Sequence, residues 1–435
     1  MEGLSEARTP LADYFSSLLQ LSPKGRTREW PSTRHHPDAI HNEAHVPDSL
    51  QERPDGDDNS SREELIVKIA QIAPLWKSAP HSGASDPERT LSYLTDELVR
   101  RGHEVTLFAS ADSHASAGLE ALGETPFCRA PAHWGRPGET TLADELAFET
   151  CADEFDIIRS HVGIHGFPMA RRCTTPTLTT LQERLDLPEY VAVFEQFQDL
   201  PLVSTSDAQR RPVAWASWQQ TIYPGVPSEL YRFNLRAGKY LAFLGSLSLE
   251  GGLGLAIELS KRAHLPLRVA SRPGGTGGFP LSVPIELMMA DHGIEWVGEL
   301  SEKEKNDFLG EALAFVCTQD GCSGSSGLCV VEALACGTPV LAFQGENAVE
   351  MIYDHVTGFA CESLDEMVDV LPLVGDLDRR ECRGAFEKRF SAERMADQYL
   401  RLYERLIGAA KSPRVSGAAV IQRAQTDRQP MTAWS

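Results

Sequence analysis

Gly327-Leu328-Cys329-Val330-Val331-Glu332-Ala333-Leu334-Ala335-Cys336-Gly337-Thr338-Pro339-Val340 decides the reading of this chain. From Leu328 onward the residues are small or apolar, apart from one carboxylate at Glu332, and Gly337 closes the run. That composition predicts a buried helix, followed through Thr338-Pro339 by a short buried strand at residues 340–343. A glycine just ahead of a helix lets its backbone approach a ligand, and the first helical N–H groups favour an anion. Gly327 and Leu328, at that helix start, are therefore candidate ligand contacts; Gly327 at a turn and Thr338 before Pro339 are each either a backbone contact to a ligand or structural. An apolar helix rarely keeps a lone carboxylate without a partner, so Glu332 either holds a ligand or keeps a structural hydrogen bond.

Working outward, residues 65–73 form an apolar run suited to a buried parallel strand. A helix is expected over 87–101, with Pro87 in its first turn and Gly102 past its end, then a strand over 103–109. Strand, helix, strand is a βαβ unit and predicts an open parallel α/β sheet. Further strands are expected at 155–158, 177–181 and 201–206, with a helix starting near Asp207. Tyr223-Pro224-Gly225-Val226-Pro227 is a turn-rich link. A second series follows: strands at 240–245, 267–270, 294–298 and 313–316, a helix at 253–263, and closing helices over about 378–406. Residues 1–64 and 411–435 are polar, with little apolar periodicity, and are expected to be disordered tails.

The net charge of −21 opposes a nucleic-acid partner or an anionic membrane surface. No apolar run is long enough for a transmembrane segment, and the start of the chain lacks a secretory pattern. Nine cysteines without a Cys-x-x-Cys pair suggest reduced thiols and a cytoplasmic protein. Cys322, Cys329 and Cys336 are seven apart, but no nearby histidine completes a site, so buried thiols rather than metal ligands are expected. No metal or cofactor is anticipated. Gly274-Gly275-Thr276-Gly277-Gly278 opens no clear helix and reads as a connection.

The 327–340 stretch resembles the donor-nucleotide motif of family 4 glycosyltransferases. Leu94-Thr95-Asp96-Glu97-Leu98-Val99-Arg100-Arg101-Gly102-His103-Glu104-Val105-Thr106, Leu202-Val203-Ser204-Thr205-Ser206-Asp207-Ala208-Gln209-Arg210 and Val356-Thr357-Gly358-Phe359 also fit that family. The resemblance covers roughly 67–407 and implies the GT-B fold: two Rossmann-like parallel-sheet domains facing a cleft. It assigns 65–224 to an acceptor-side domain, 225–385 to a donor-side domain, and 386–410 to a helix crossing back to the first. It also implies a nucleotide-sugar co-substrate, a small-molecule or glycan acceptor, and transfer with retention. Glu332 would contact the nucleotide ribose, backbone near Gly327 and Leu328 the donor phosphate or sugar, and His161 the acceptor.

The departures fall on donor contacts. The family's Gly-Arg-x-x-x-x-Lys-Gly frame reads Gly245-Ser246-Leu247-Ser248-Leu249-Glu250-Gly251-Gly252 here, without either cation. The carboxylate eight residues before Glu332 is Gly324, a further family lysine is Ser271, and a histidine after Ile158 is Arg159. Each charge-assisted hydrogen bond is worth about 1.5–3 kcal/mol, so losing several weakens donor binding by orders of magnitude. Arg272 and Arg159 are the candidate replacements. Three readings stay open: an active glycosyltransferase, a binding or scaffold pseudoenzyme, and a transferase with another donor.

Overall fold

The computed structural model describes residues 66–74, 86–122, 137–151, 153–245, 252–271, 293–318, 327–343 and 347–411. Within them lie two parallel sheets. The first carries β1 (Lys68–Ile72), β2 (Glu104–Ala109), β3 (Gly118–Ala121), β4 (Ile157–Ser160), β5 (Thr177–Thr180), β6 (Leu202–Ser204) and β7 (Trp218–Thr221). Their order is β3-β2-β1-β4-β5-β6-β7. The second carries β8 (Leu241–Leu244), β9 (Leu267–Ala270), β10 (Ile294–Gly298), β11 (Ala314–Cys317), β12 (Val340–Phe343) and β13 (Gly358–Cys361), in the order β10-β9-β8-β11-β12-β13.

In the first lobe the helices are α1 (Asp86–Arg100), α2 (Pro137–Cys151), α3 (Phe167–Arg172), α4 (Pro188–Gln196) and α5 (Asp207–Arg210). The remaining helices are α6 (Leu253–Ala263), α7 (Glu302–Gly310), α8 (Leu328–Ala335), α9 (Leu364–Val374), α10 (Arg379–Arg389) and α11 (Ala392–Lys411). Strand order reverses between β1 and β4 and again between β8 and β11, and open parallel sheets bind ligands at the carboxyl ends beside such a reversal. His161 directly follows β4, and α8 is the helix following β11.

Alternation along β1 divides the first core. Ile69 joins Leu94, Leu98, Ile157 and the apolar face of α11, whereas Ala70 and Ile72 join Phe108, Phe148, Ile158 and Phe167 on the other side. Helix α11 therefore lies on the first sheet, through Met395, Ala396, Tyr399, Leu402 and Tyr403. The second core wraps α8, all of whose residues are buried.

Some elements differ from the sequence expectation. Strand β4 extends to Ser160 rather than ending at 158. Strands β3 and β7 had no apolar signature: β3 is exposed throughout and β7 half-buried. Six described cysteines are free, but Cys317 is disulfide-bonded. Reduced thiols throughout is therefore corrected at that position; no Cys-x-x-Cys spacing announced the pair. The expected tails, the 274–278 glycine run and the Ser246, Gly251 and Gly324 positions lie outside the described residues, apart from Lys411. Among the described residues no helix is long and apolar enough to cross a membrane, and no cluster of His, Cys, Asp or Glu fits a metal ion.

Candidate functional site

Helix α8 starts with Gly327 in the left-handed region, at φ +66°. A Cβ there would lie 2.6 Å from the Met351 side chain, so backbone conformation and space both select glycine. Leu328 is buried in the core. Thr338 is fully buried too: its hydroxyl donates to the Leu309 carbonyl at 2.7 Å and accepts from Arg379 Nη2 at 2.6 Å. Those bonds occupy the Thr338 hydroxyl inside the lobe.

Glu332 is 1% exposed, and its Oε1 is the centre of a cross-lobe cluster. Arg89, in the first turn of α1, donates to it through Nη2. Tyr231 Oη donates to the same oxygen at 2.7 Å, and Lys305 Nζ of α7 lies at 3.4 Å. Arg89 also reaches Tyr93 Oη at 3.1 Å, Tyr231 Oη at 3.3 Å, Glu302 at 3.6 Å and Asp86 at 3.7 Å, while Tyr93 donates to Glu302. Burial alone would raise the Glu332 carboxyl, but Arg89, Lys305 and Tyr231 outweigh it and hold the pKa down at about 2. The carboxylate stays ionised. Among the described residues two cations, Arg89 and Lys305, face the carboxylates of Glu332, Glu302 and Asp86.

A second carboxylate also bridges the lobes. Glu350, in the short 3-10 turn Asn347–Met351, accepts from the Asp207 and Ala208 backbone N–H groups at 3.0 and 3.3 Å. Tyr223 Oη donates to it at 3.3 Å. The acceptor of those amides is thus protein rather than ligand. Burial is the main influence on Glu350 and raises its pKa.

His161 is 6% exposed, and neither ring nitrogen has a hydrogen-bond partner among the described residues. Desolvation first, then the charge of Arg159, push its pKa well below 6.5, so the ring is neutral. A neutral imidazole with a free lone pair can accept a proton, but burial closes this one off in the described state. Arg159 does not approach Glu332; it points into the face beneath α11, its guanidinium 4.0 Å over the Tyr399 ring. Arg272 lies outside the described residues. Of the sequence candidates, Gly327, Leu328, Glu332 and Thr338 share α8 and its flanks, and no described contact joins His161 to them.

Sequence reasoning passed over Arg89, Tyr231 and Lys305. The available sign was Arg89 itself, a cation placed next to the Leu91, Leu94 and Leu98 stripe that α1 buries. A pocket of about 600 Å³, lined by Tyr240, Arg268 and Glu295 among others, sits at the amino ends of β8 to β10, away from this cluster.

Residues 233–370 match the family described as glycosyl transferases group 1, so the second lobe carries a glycosyltransferase group 1 domain. No curated protein matches the chain. Among solved structures, sucrose-phosphate synthase from Thermosynechococcus elongatus superposes with a TM-score of 0.64 at 16% identity, over 79% of this chain and 100% of that one. AviGT4, a glycosyltransferase involved in avilamycin A biosynthesis, gives 0.57 at 19%, over 79% and 98%. Anabaena HepE in complex with UDP and glucose gives 0.58 at 14%, over 78% and 99%. At these identities the likeness is one of fold: two Rossmann-like lobes in the GT-B arrangement.

Proposed function

We propose that the protein is a GT-B pseudoenzyme of family 4 type, whose interlobe surface serves binding or scaffolding rather than sugar transfer from a nucleotide diphosphate. One observation carries this reading: Arg89 of the first lobe pairs with Oε1 of Glu332, the carboxylate that the family resemblance assigns to the nucleotide ribose. A ribose hydroxyl taking Oε1 must displace Arg89 from a buried ion pair, and removing one partner of such a pair costs about 3–5 kcal/mol. The missing Arg and Lys at Ser246 and Gly251 remove the compensating attraction.

An active transferase is the second reading, and the group 1 match over 233–370 favours it. In that case a nucleotide sugar is the donor, as the UDP-glucose complex of HepE suggests for that protein. Gly327, Leu328, Glu332, Thr338 and Arg272 would hold the donor, and His161 would face a small-molecule or glycan acceptor, with retention.

Titration calorimetry of the full chain with UDP-, GDP- and ADP-sugars, with and without Mg²⁺, separates the two. No heat at millimolar donor, together with no nucleotide release over hours, is the expected result. Micromolar binding with nucleotide release would overturn the pseudoenzyme reading and establish transfer.

A further inference from the structure

Arg159 is a residue of β4, 1% exposed, and no carboxylate lies in salt-bridge range of it among the described residues. Its Nε reaches Thr180 Oγ1 at 3.3 Å and its Nη1 reaches Gln71 Oε1 at 3.4 Å, both long for hydrogen bonds to a cation. Register explains the grouping: Gln71 pairs directly with Arg159 across β1 and β4, and Thr180 follows on the next strand. Helix α11 covers them with Tyr399 and Tyr403, whose rings lie 5.9 Å apart. Guanidinium keeps its charge at any pH a protein survives, so this charge sits in the core without a counterion.

The surrounding polar atoms share one chemistry. Gln71 Nε2 and Tyr403 Oη are both fully buried and have no hydrogen-bond partner among the described residues. Both offer N–H or O–H groups to a negative charge. Turning the Gln71 amide over would aim its N–H groups at the guanidinium, so the present orientation is the favourable one. Tyr399 Oη is already engaged with Thr180 Oγ1 at 3.2 Å. Between the first sheet and the last helix, Gln71 Nε2 and Tyr403 Oη thus have no acceptor among the described residues, beside a guanidinium whose own acceptors are neutral and distant. His161, the other titratable group next to Arg159 in sequence, is held neutral and supplies no negative charge.

We propose that Arg159, Gln71 Nε2 and Tyr403 Oη bind a small monovalent anion of halide size beneath α11. The anion neutralises the buried guanidinium, satisfies the unpaired donors and fastens α11 to the first sheet. Burial of the set excludes a nucleotide or a sugar phosphate, which would need an open mouth. The proposal is independent of whether the protein transfers sugar, since Arg159 makes no described contact with the Glu332 cluster.

Thermal unfolding of the full chain in chloride, compared with gluconate at equal ionic strength, tests it. The expected result is a saturable rise of about 2–4 °C with chloride. Arg159→Met should abolish the dependence. Tyr403→Phe, which keeps the ring and its packing, should weaken the apparent chloride affinity about tenfold and remains informative if the arginine variant does not fold. A crystal grown in bromide should show anomalous density between Arg159 and Tyr403. Equal melting in chloride and gluconate, an undiminished chloride effect in Tyr403→Phe, or an ordered water in place of bromide would each overturn the proposal.

Discussion

The guanidinium of Arg89 closes on the carboxylate of Glu332, joining residues 243 positions apart and linking the first lobe to the second. Arg89 is 9% exposed and Glu332 1%. A pair this enclosed does not act as a surface salt bridge: removing Arg89 leaves Glu332 buried and charged, held only by Tyr231 and Lys305. Arg89→Ala should therefore lower unfolding free energy by about 3–5 kcal/mol in urea titrations. Arg89→Met combined with Glu332→Leu should lose less than the summed single costs, with a coupling of about 1–3 kcal/mol. Strict additivity would mean that the two side chains do not act as a pair.

Acid stability should report the same carboxylate. The Glu332 pKa falls from 4.5 to about 2 on folding, so the unfolded chain binds the proton more readily. The stabilisation from this group is complete above about pH 4.5 and disappears as pH drops through about 2. It amounts to the order of 3 kcal/mol. Glu332→Gln should flatten the stability profile between those limits relative to wild type, as followed by urea midpoints at successive pH values. Identical slopes for the two proteins would place the carboxylate in a less perturbed setting than the Arg89 contact implies.

How much of this was legible beforehand follows from what each residue packs against. The α8 segment announced itself because a wholly buried helix has a wholly apolar sequence, and its one carboxylate stood out. The strands β1, β2, β8 and β11 were readable for the same reason. Strand β3 was not: exposed on its own faces, it is held by its backbone ladder to β2, and such a ladder leaves no side-chain pattern. The partner of Glu332 was equally hidden, because the pair forms only when two lobes meet. Arg89 stood out only as a cation beside the buried stripe of α1, and nothing in the sequence named the second-lobe residue it meets.

The bridge from Glu350 to α5 predicts a local signature. Its carboxylate is the acceptor for the Asp207 and Ala208 amides, which otherwise lack intrahelical partners at the start of α5. Glu350→Ala should speed hydrogen exchange at those two amides and destabilise the protein by about 1–3 kcal/mol. Unchanged exchange there would show that the amides have another acceptor.

Gly327 is constrained by its backbone and by Met351 at once. Left-handed backbone costs a non-glycine residue about 1–2 kcal/mol, and the added methyl must push the Met351 thioether aside. Gly327→Ala should destabilise by about 1–3 kcal/mol in thermal unfolding. Because the obstructing atoms are the far end of a flexible side chain, Gly327→Ala made in a Met351→Ala background should lose the steric part of its cost, relative to that background, while the backbone part persists. Full recovery would assign the whole effect to the clash.

Restoring charge tests the lost donor contacts directly. Ser246→Arg, Gly251→Lys and Gly324→Glu together return the family's pattern to positions where this sequence departs from it. Each charge-assisted hydrogen bond regained is worth about 1.5–3 kcal/mol, or roughly tenfold or more in affinity. Arg89 should still oppose the ribose, because Glu332 remains paired in the triple variant. Adding Arg89→Gln should then leave Glu332 held only by Tyr231 and Lys305 and raise UDP-sugar affinity further, in folded protein. Calorimetry on the triple and quadruple variants reads the two contributions separately. A gain from the triple with none from Arg89→Gln would place the nucleotide away from Glu332. No gain from either, in folded protein, would mean that the interlobe surface has diverged beyond these charges.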